Sequence, residues 1–364
     1  MQLLEPFQSK HLSLRNRVVM APLTRCRAAN PELKPTEIHA TYYRQRASAG
    51  LIITEASPIM PRGIGYINTP GIYSKAQIEG WKGVTAAVHE EGGVIFQQLW
   101  HVGRISHPDF HKGELPHAPS AINPNMKAFT PEGFKPTVTP KAMTVAEIKE
   151  TIRAYAQGAL NSLEAGFDGV EIHSSNGYLV QQFFESCSNH RTDEYGGSIE
   201  NKARFFFEIL DTMKEMGVPL GQVGCRFNPC AHEILGITMS EDSIAVFEYV
   251  IQRLNDYGLA YMHLSEPFKD VSHIPYALKS VAGHFRPMYN GVLMTNKGYT
   301  RESGNAIIES GLADLVAYGK PYIGNPDLVE RFENNWPLSK DNRKTYYTPG
   351  IKGYIDYPPY QQDA

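Results

Sequence analysis

The stretch from Glu171 to Tyr178 holds three side chains of different acidity within six residues. His173 supplies an imidazole, Asn176 a carboxamide and Tyr178 a phenol. The short apolar run before them, residues 168–172, is typical of a buried parallel strand. Hydrogen-bonding groups gathered where such a strand ends are typical of a reaction centre. A polar strand-to-helix loop without a catalytic role fits these residues equally well, so the rest of the chain has to decide.

Two other loops pair a glycine with a lysine, a pattern that suits anion binding. Lys297-Gly298 follows one apolar run and Gly319-Lys320 follows the next. Glycine lets the backbone approach an anion closely, and a neighbouring ammonium adds charge. Two turn glycines beside solvated lysines are the alternative. Because the dinucleotide fingerprint GxGxxG is absent, the two loops together favour a phosphate-bearing cofactor without a dinucleotide fold.

Gln98 and Arg226 lie near the ends of two further apolar runs and suit a flat polar heterocycle. A carboxamide both donates and accepts hydrogen bonds, as the edge of a pyrimidine-like imide requires. A guanidinium stabilises negative charge that develops on such a ring. Taken singly, each residue is more often a structural hydrogen-bonding group, so the hypothesis depends on the whole set.

Eight apolar runs must position these side chains. They occupy residues 18–22, 51–55, 94–100, 168–173, 222–227, 261–266, 292–295 and 315–318. The runs are continuously apolar, as expected for strands that are covered on both faces. Helical patterns separate them, and eight such alternations predict a single (β/α)8 TIM barrel over residues 1–364. Two α/β domains are the alternative, but no linker or change in composition divides the chain.

Several helix starts are marked by capping signals. Residues 144–147 have the composition of a capping box before a helix over residues 144–166. Ser240 and the two acidic residues after it predict the first turn of another helix. Asn325 predicts an N-cap, with Pro326 at the first helical position. Since the loops after barrel strands share one face, the polar residues named above should meet there.

Residues 101–143 interrupt the pattern with seven prolines and little helical periodicity. A long irregular segment is usually functional or mobile. We expect a lid over the C-terminal face of the barrel, with a small hairpin inside it. Its histidines do not have a common metal-ligand spacing, so no metal site is predicted there. They are His101, His107, His111 and His117.

Composition narrows the function classes. The 364 residues are 42% hydrophobic and 20% charged, which is ordinary for a globular chain with a large core. A net charge of −3 disfavours general nucleic-acid binding. The four cysteines lack CxxC spacing, which favours reduced thiols. No apolar run approaches the ~20 residues of a membrane span, and the first twenty residues lack a signal peptide's apolar stretch. We therefore expect a cytoplasmic protein, either a monomer or a weak homodimer.

Six ordered segments carry a resemblance to one enzyme family. They are Asn16–Arg25, Gln97–Arg104, His173–Leu179, Asn189–Asn201, Asn325–Leu328 and Gly353–Pro358. The run Asp193–Asn201, with the sequence DEYGGSIEN, is the most specific of them. With these segments the chain resembles the Old Yellow Enzyme family of FMN-dependent ene-reductases over nearly its whole length. It is most similar to the branch of 12-oxophytodienoate-reductase-like and bacterial enzymes.

The resemblance implies that non-covalent FMN is reduced by NADPH or NADH and then reduces the C=C bond of an α,β-unsaturated carbonyl or nitro compound. It implies that Tyr178 donates the proton, that His173 and Asn176 hold the substrate oxygen, and that Thr24 tunes the flavin. The implied cofactor positions are Pro22, Leu23, Thr24, Ala56, Gln98, Arg226, Lys297, Gly298, Gly319 and Lys320. The implied walls of the substrate pocket are Tyr66, Trp100 and Tyr347, beside His173, Asn176 and Tyr178.

Three positions depart from the family's pattern or separate its branches. Lys297 stands where a glycine is usual, and Lys320 where an arginine is usual. An arginine-to-lysine exchange keeps the charge but loses the pair of parallel hydrogen bonds that a guanidinium donates, so we expect FMN to bind less tightly. Thr24 stands where another branch has cysteine, which places the chain in the threonine branch.

Other activities remain open for the same residues. A related flavin barrel could act as an oxidase or dehydrogenase, although no cysteine cluster for an iron–sulfur centre is present. A Schiff-base aldolase would need a lysine at an inner strand end, and the fourth run has none. A non-catalytic protein that binds flavin or phenols would keep the same pocket.

Overall fold

Eight parallel strands close into a barrel in the computed structural model, which describes residues 1–361. The strands are Val18–Met20, Leu51–Ile53, Ile95–Trp100, Gly169–Ser174, Val223–Phe227, Tyr261–Ser265, Leu293–Asn296 and Leu315–Tyr318. Each pairs with the next along the chain, and the eighth pairs with the first. The predicted (β/α)8 barrel and all eight of its strands are confirmed.

The α-helices lie between the strands and after the last one. They are Glu37–Arg44, Lys75–Glu90, Val145–Glu164, Leu179–Phe184, Ile199–Glu215, Ser243–Leu254, Val281–Phe285, Arg301–Glu309, Lys320–Gly324 and Leu328–Asn334. The predicted capping box is present: the Glu147 amide donates to Thr144 Oγ1 at 3.3 Å, and the Thr144 amide donates to Glu147 Oε2 at 2.8 Å. Within the described residues, none of these helices has the length and hydropathy to cross a lipid bilayer.

The helix starts predicted at Ser240 and Asn325 are wrong. The two helices begin at Ser243 and Leu328. The Ser240 amide donates to Ser243 Oγ at 3.0 Å, so the acidic residues between them belong to a turn before the helix. Asn325 closes the preceding helix, because its Nδ2 donates to the Pro321 carbonyl at 2.8 Å. A side chain engaged in this way does not cap the next helix.

Apolar side chains fill both faces of the strands. The inner cluster combines alternate strand residues such as Val19, Leu51 and Leu315 with Phe7 and Leu14 of an N-terminal hairpin. This hairpin pairs Phe7–Gln8 with Ser13–Leu14. The outer cluster joins the opposite strand faces to the helices. Burial on both faces explains why the strand runs are continuously apolar.

The segment 101–143 contains the expected hairpin, formed by Lys127–Thr130 and Gly133–Pro136. Short strands at His117–Ala118 and Lys141–Ala142 pair with each other. Phe129 of the hairpin forms a backbone bridge with Tyr66, so the hairpin lies beside the C-terminal face of the barrel. The strand Ser57–Pro58 continues the pairing with Trp100 at the same face. A lid function for this segment stays a prediction.

Candidate active site

Two adjoining cavities lie at the C-terminal ends of the barrel strands. The larger, of about 510 Å³, extends from Pro22 past Arg226 to Lys297 and Lys320. The smaller, of about 340 Å³, shares Pro22, Leu23 and Lys320 with it. A groove of about 590 Å³ between outer elements, around Tyr257, holds none of the predicted site residues. Most of the residues that the sequence predicts therefore line these two adjoining cavities.

The predicted residues divide among these cavities as follows. The larger cavity is lined by Pro22, Leu23, Asn176, Arg226, Lys297, Gly298, Gly319 and Lys320. The smaller is lined by Pro22, Leu23, Thr24, Tyr66, Tyr178, Tyr347 and Lys320. Ala56, Gln98, Trp100 and His173 line neither cavity and lie behind the walls. Trp100 and Ala56 pack with Tyr66 and Tyr178 in one apolar cluster.

His173 is a buried, neutral donor at the end of the fourth strand. Its register partner on the fifth strand is Arg226. Its pKa lies well below the ordinary value, because burial disfavours the charged ring and the charges of Arg226 and His263 add to the effect. Its Nδ1 lies 3.1 Å from Ser175 Oγ. A Ser175 hydroxyl that donates to Nδ1 leaves Nε2 as the donor of the ring.

Asn176 adopts a left-handed backbone conformation, with φ of 57°, and Gly177 follows with φ of 82°. Asparagine and glycine are the residues that tolerate this turn best. Asn176 Oδ1 accepts a hydrogen bond from Asn228 Nδ2 at 3.0 Å. The amide N–H groups of Asn176 are thereby left to donate to a ligand. Asn228 is buried.

Tyr178 is held by other aromatic rings and by a second phenol. Its hydroxyl lies 3.0 Å from that of Tyr66. Its ring meets Trp100 and His173 edge-on, each with centroids 4.9 Å apart. Burial raises the pKa of Tyr178 well above its ordinary value and that of Tyr66 to about 12. Both phenols therefore keep their protons throughout the neutral range.

A polar cluster lies just inside the barrel behind these residues. Glu171 Oε1 accepts from Gln98 Nε2 at 2.7 Å, and Glu171 Oε2 lies 2.8 Å from His263 Nδ1. Arg226 Nη2 is 3.4 Å from Ser265 Oγ, and its buried Nε has no partner within residues 1–361. Buried donors normally have acceptors, so a bare guanidinium N–H beside a cavity suits a ligand with acceptor atoms.

The far end of the larger cavity is formed by exposed loops. Lys297 has a φ of 88° and Gly298 a φ of 82°. Lys297 Nζ lies 4.5 Å from the centroid of the Phe268 ring. Lys320 is 73% exposed, and its Nζ lies 3.7 Å from Asp341 Oδ1. Two ammonium groups and glycine-containing backbone at this end suit an anionic ligand group.

Two buried arginines position the outer wall of the smaller cavity. Arg25 Nη2 donates to the Gly353 carbonyl at 2.6 Å, and Arg27 Nη2 donates to the Thr345 carbonyl at 2.7 Å. The chain segment between these two carbonyls carries Tyr347, which is 51% exposed. Arg25 ends the segment Asn16–Arg25 that carries the resemblance, and Arg27 lies two residues beyond it; their part in holding Tyr347 was not predicted.

The contacts that orient the polar side chains were also missed by sequence reasoning. Ser175, Asn228 and Glu171 each contact a predicted residue. Ser175 and Glu171 lie within the stretch that we recognised, and Asn228 follows Arg226 by two residues. Proximity to a predicted residue at the same strand end was the one signal that could have found them.

Comparisons with known proteins are consistent across sequence and structure. Residues 2–339 match the model of the NADH:flavin oxidoreductase / NADH oxidase family. The chain is 41% identical to 12-oxophytodienoate reductase 1 of Oryza sativa subsp. japonica, over 98% of this chain and 92% of that protein. It is 38% identical to 12-oxophytodienoate reductase 2 of Arabidopsis thaliana, over 100% of this chain and 96% of that protein.

Two solved structures match nearly the whole fold. Morphinone reductase in complex with tetrahydroNAD superposes with a TM-score of 0.92 at 41% identity, over 99% of this chain and 98% of that one. The Old Yellow Enzyme homologue of Zymomonas mobilis superposes with a TM-score of 0.93 at 39% identity, over 99% of this chain and 100% of that one.

Proposed function

Because the chain belongs to the NADH:flavin oxidoreductase / NADH oxidase family, we propose that it is an ene-reductase that uses FMN and NADPH or NADH. The predicted resemblance to the Old Yellow Enzyme family is confirmed, and the chain is a flavin-dependent oxidoreductase. The proposed substrates are α,β-unsaturated carbonyl and nitro compounds, whose C=C bond is reduced.

The donors that line the larger cavity support FMN as its ligand. The bare Nε of Arg226 would hold the ring, and the backbone at Pro22 and Leu23 would line it. Gln98 and Ala56, which lie behind the wall, would approach the ring from the barrel interior. The loops at Lys297-Gly298 and Gly319-Lys320 would hold the phosphate. When bound, FMN would supply the hydride-transfer chemistry between the reduced nicotinamide and the alkene.

His173 and Asn176 would hold the substrate's carbonyl or nitro oxygen. Addition of hydride to the β-carbon places negative charge on that oxygen, and preorganised donors stabilise the charge as it develops. His173 is neutral and oriented by Ser175, and Asn176 is oriented by Asn228. Both donors are therefore in place before the substrate binds, which is the condition for a large catalytic effect.

Tyr178 would protonate the α-carbon. Its raised pKa keeps the proton on the phenol at neutral pH, so the proton is available to a carbanion-like centre. Tyr66 contacts the same hydroxyl and would keep it in one position. Trp100, Tyr66 and Tyr347 would form the walls that direct the alkene.

The observation that carries this proposal is the placement of three groups around two adjoining cavities: Asn176 lines the larger, cation-lined cavity, Tyr178 lines the smaller, and the His173 ring lies behind the wall with its centroid 4.9 Å from that of Tyr178. A binding protein without catalysis has no use for an acid held beside two oxyanion donors. The same geometry favours reduction of an enone over an oxidase reaction, which requires no proton donor to carbon.

An anaerobic titration of the purified protein tests the proposal. Stoichiometric NADPH or NADH should bleach the visible flavin absorbance, and cyclohexenone should then restore it. Cyclohexanone, which lacks the C=C bond, is the control and should not restore it. A colourless protein that gains no flavin absorbance when incubated with FMN would refute the proposal, as would reoxidation by cyclohexanone as fast as by cyclohexenone.

A further inference from the structure

We propose that Glu171 is a positioning residue: it fixes which edge of the Gln98 amide faces the FMN ring, and it offsets the charge of Arg226. The inference rests on the proposed function, because it concerns how the barrel interior receives FMN. Glu171 itself lines neither cavity and acts through its neighbours.

Glu171 is completely buried in the middle of the fourth strand. Its register partner on the third strand is Gln98, so both side chains point into the barrel. The hydrogen bond from Gln98 Nε2 is 2.7 Å long, and the contact with His263 Nδ1 on the sixth strand is 2.8 Å. Each carboxylate oxygen thus has one partner from a neighbouring part of the barrel.

The carboxylate decides the orientation of the Gln98 amide. A carboxylate accepts and cannot donate, so the amide must present its NH2 group to Glu171. Gln98 Oε1 is then the free end, and it has no hydrogen-bond partner within residues 1–361. An acceptor is what the ring N–H of an imide requires. Without the carboxylate, the amide could turn over at little steric cost, since its N and O atoms are nearly the same size.

Glu171 also sets the local charge. Arg226 is the register partner of both His173 and His263, so the guanidinium lies in the layer that receives the ring. Burial lowers the pKa of Arg226, and the negative charge of Glu171 opposes this shift. The cation favours negative charge on the reduced ring, and the nearby anion opposes it. The balance between them should influence the reduction potential.

A purely structural role for Glu171 makes a different prediction, and the chain offers a matched control. Glu185 is equally buried and accepts from Gln181 Nε2 at 3.1 Å and from Ser243 Oγ at 2.6 Å. It lines neither of the two cavities. Burial raises the pKa of Glu185 to about 7, so the two variants are compared at about pH 8.5, where Glu185 is mainly ionised. Glu171→Gln and Glu185→Gln then each remove a buried charge from a similar amide pair. One pair lies behind the proposed flavin site, and the other lies behind the turn at Gly177, whose amide donates to Gln181 Oε1 at 3.0 Å.

The reduction potential of the FMN-loaded variants tests the charge effect. Glu171→Gln should shift the equilibrium about tenfold towards reduced FMN, which is ~30 mV for a two-electron couple. Glu185→Gln should leave the potential unchanged. An unshifted potential in Glu171→Gln, or an equal shift in both variants, would overturn the charge part of the inference.

FMN dissociation constants test the orientation effect. Gln98→Ala and Glu171→Gln should each weaken FMN binding about tenfold, and the double variant should be no weaker than Gln98→Ala alone. If the two losses of FMN affinity multiply in the double variant, the proposed orientation of Gln98 by Glu171 is wrong. If Glu171→Gln does not fold, Glu171→Asp takes its place. The shorter side chain loses the hydrogen bond with Gln98, so FMN should bind less tightly. It keeps the negative charge, so the reduction potential should stay near that of the wild type.

The proposed function and this inference fail in different ways. A wild-type protein that binds no FMN would refute both. A wild type that binds FMN and reduces cyclohexenone, with Glu171→Gln identical to it in potential and in FMN affinity, would refute the role of Glu171 alone.

Discussion

The two ends of the cavity system are built on opposite principles. At the proposed substrate end, His173, Asn176 and Tyr178 each contact a further protein side chain that orients them. At the proposed phosphate end, Lys297 and Lys320 are exposed, and within residues 1–361 their ammonium groups contact Phe268 and Asp341 near the surface. One end is held in place by buried contacts, and the other is free to adjust.

The difference follows from what each end has to do. Proton transfer and oxyanion stabilisation depend steeply on distance and angle, so their groups need supporting contacts. A phosphate is attracted by charge over a longer range, and flexible lysines serve it adequately. We therefore expect substitutions at the substrate end to lower rates, and substitutions at the phosphate end to change FMN affinity by smaller factors.

Tyr178→Phe should have the largest effect. Steady-state turnover of cyclohexenone should fall by roughly 10²–10⁴-fold, the usual contribution of a general acid. A nitroalkene should suffer less, because its nitronate is a stable anion that can be released and protonated later. Tyr347→Phe is the control, since it removes a half-exposed phenol from the same cavity and should change turnover little. Equal losses in the two variants would remove Tyr178 from its assigned role.

His173→Ala should weaken ligand binding at the substrate oxygen. Loss of a hydrogen bond to a charged or developing oxyanion costs about 1.5–3 kcal/mol, which is roughly 10- to 100-fold in the dissociation constant of a phenol. Absorbance titration of the oxidised protein with p-hydroxybenzaldehyde measures this. Tyr178→Phe should stay within a few-fold of the wild type in the same titration. A phenol affinity unchanged in His173→Ala would contradict the assignment.

Arg226→Met should lower the reduction potential of bound FMN by ~30 mV or raise the FMN dissociation constant about tenfold. The reason is the loss of a buried cation that stabilises the reduced, anionic ring. Arg104→Met is a matched control: Arg104 is as buried, but it donates to the carbonyls of Ile122 and Gly236. If both variants shift the potential equally, the effect comes from general loosening of the fold.

Lys297→Gly should have the smallest effect: it should stabilise the fold slightly and weaken FMN binding slightly. Glycine relieves the positive φ of 88° and should raise the free energy of unfolding by about 1 kcal/mol. Removal of the exposed ammonium should weaken FMN binding by only about two- to fivefold. Lys297→Ala loses the same charge and keeps the strained backbone, so its unfolding free energy should not rise. A similar gain in both variants would mean that the backbone strain is not the cause.

The same contrast explains which features were predictable from the sequence. Barrel strands are local apolar runs, so each was found within a few residues. The loops that we propose to hold the phosphate follow directly from two of these strands, and their glycines and lysines single them out in the sequence. The helix start at Asn325 was predicted wrongly because its amide serves the preceding helix through Pro321, a choice that depends on where that helix ends.

The supporting contacts of the substrate end were not predictable in this way. Asn228 is 52 residues from Asn176, and Glu171 is 73 residues from Gln98. Arg27 holds the Thr345 carbonyl across 318 residues. Such contacts depend on strand register and on which distant segments pack together, and a local sequence pattern contains neither. The residues proposed to do chemistry could thus be named from the sequence, and the residues that contact and orient them could not.

The most direct test of the central proposal, that Tyr178 is the proton donor to the alkene, is a pair of anaerobic stopped-flow measurements on Tyr178→Phe. Reduction of the bound flavin by NADPH should proceed at nearly the wild-type rate, because the phenol gives no proton in that half-reaction. Reoxidation by cyclohexenone should slow by roughly 10²–10⁴-fold. If the substitution slowed flavin reduction as much as reoxidation, Tyr178 would not be the proton donor to the alkene, and the proposed separation of roles would be contradicted.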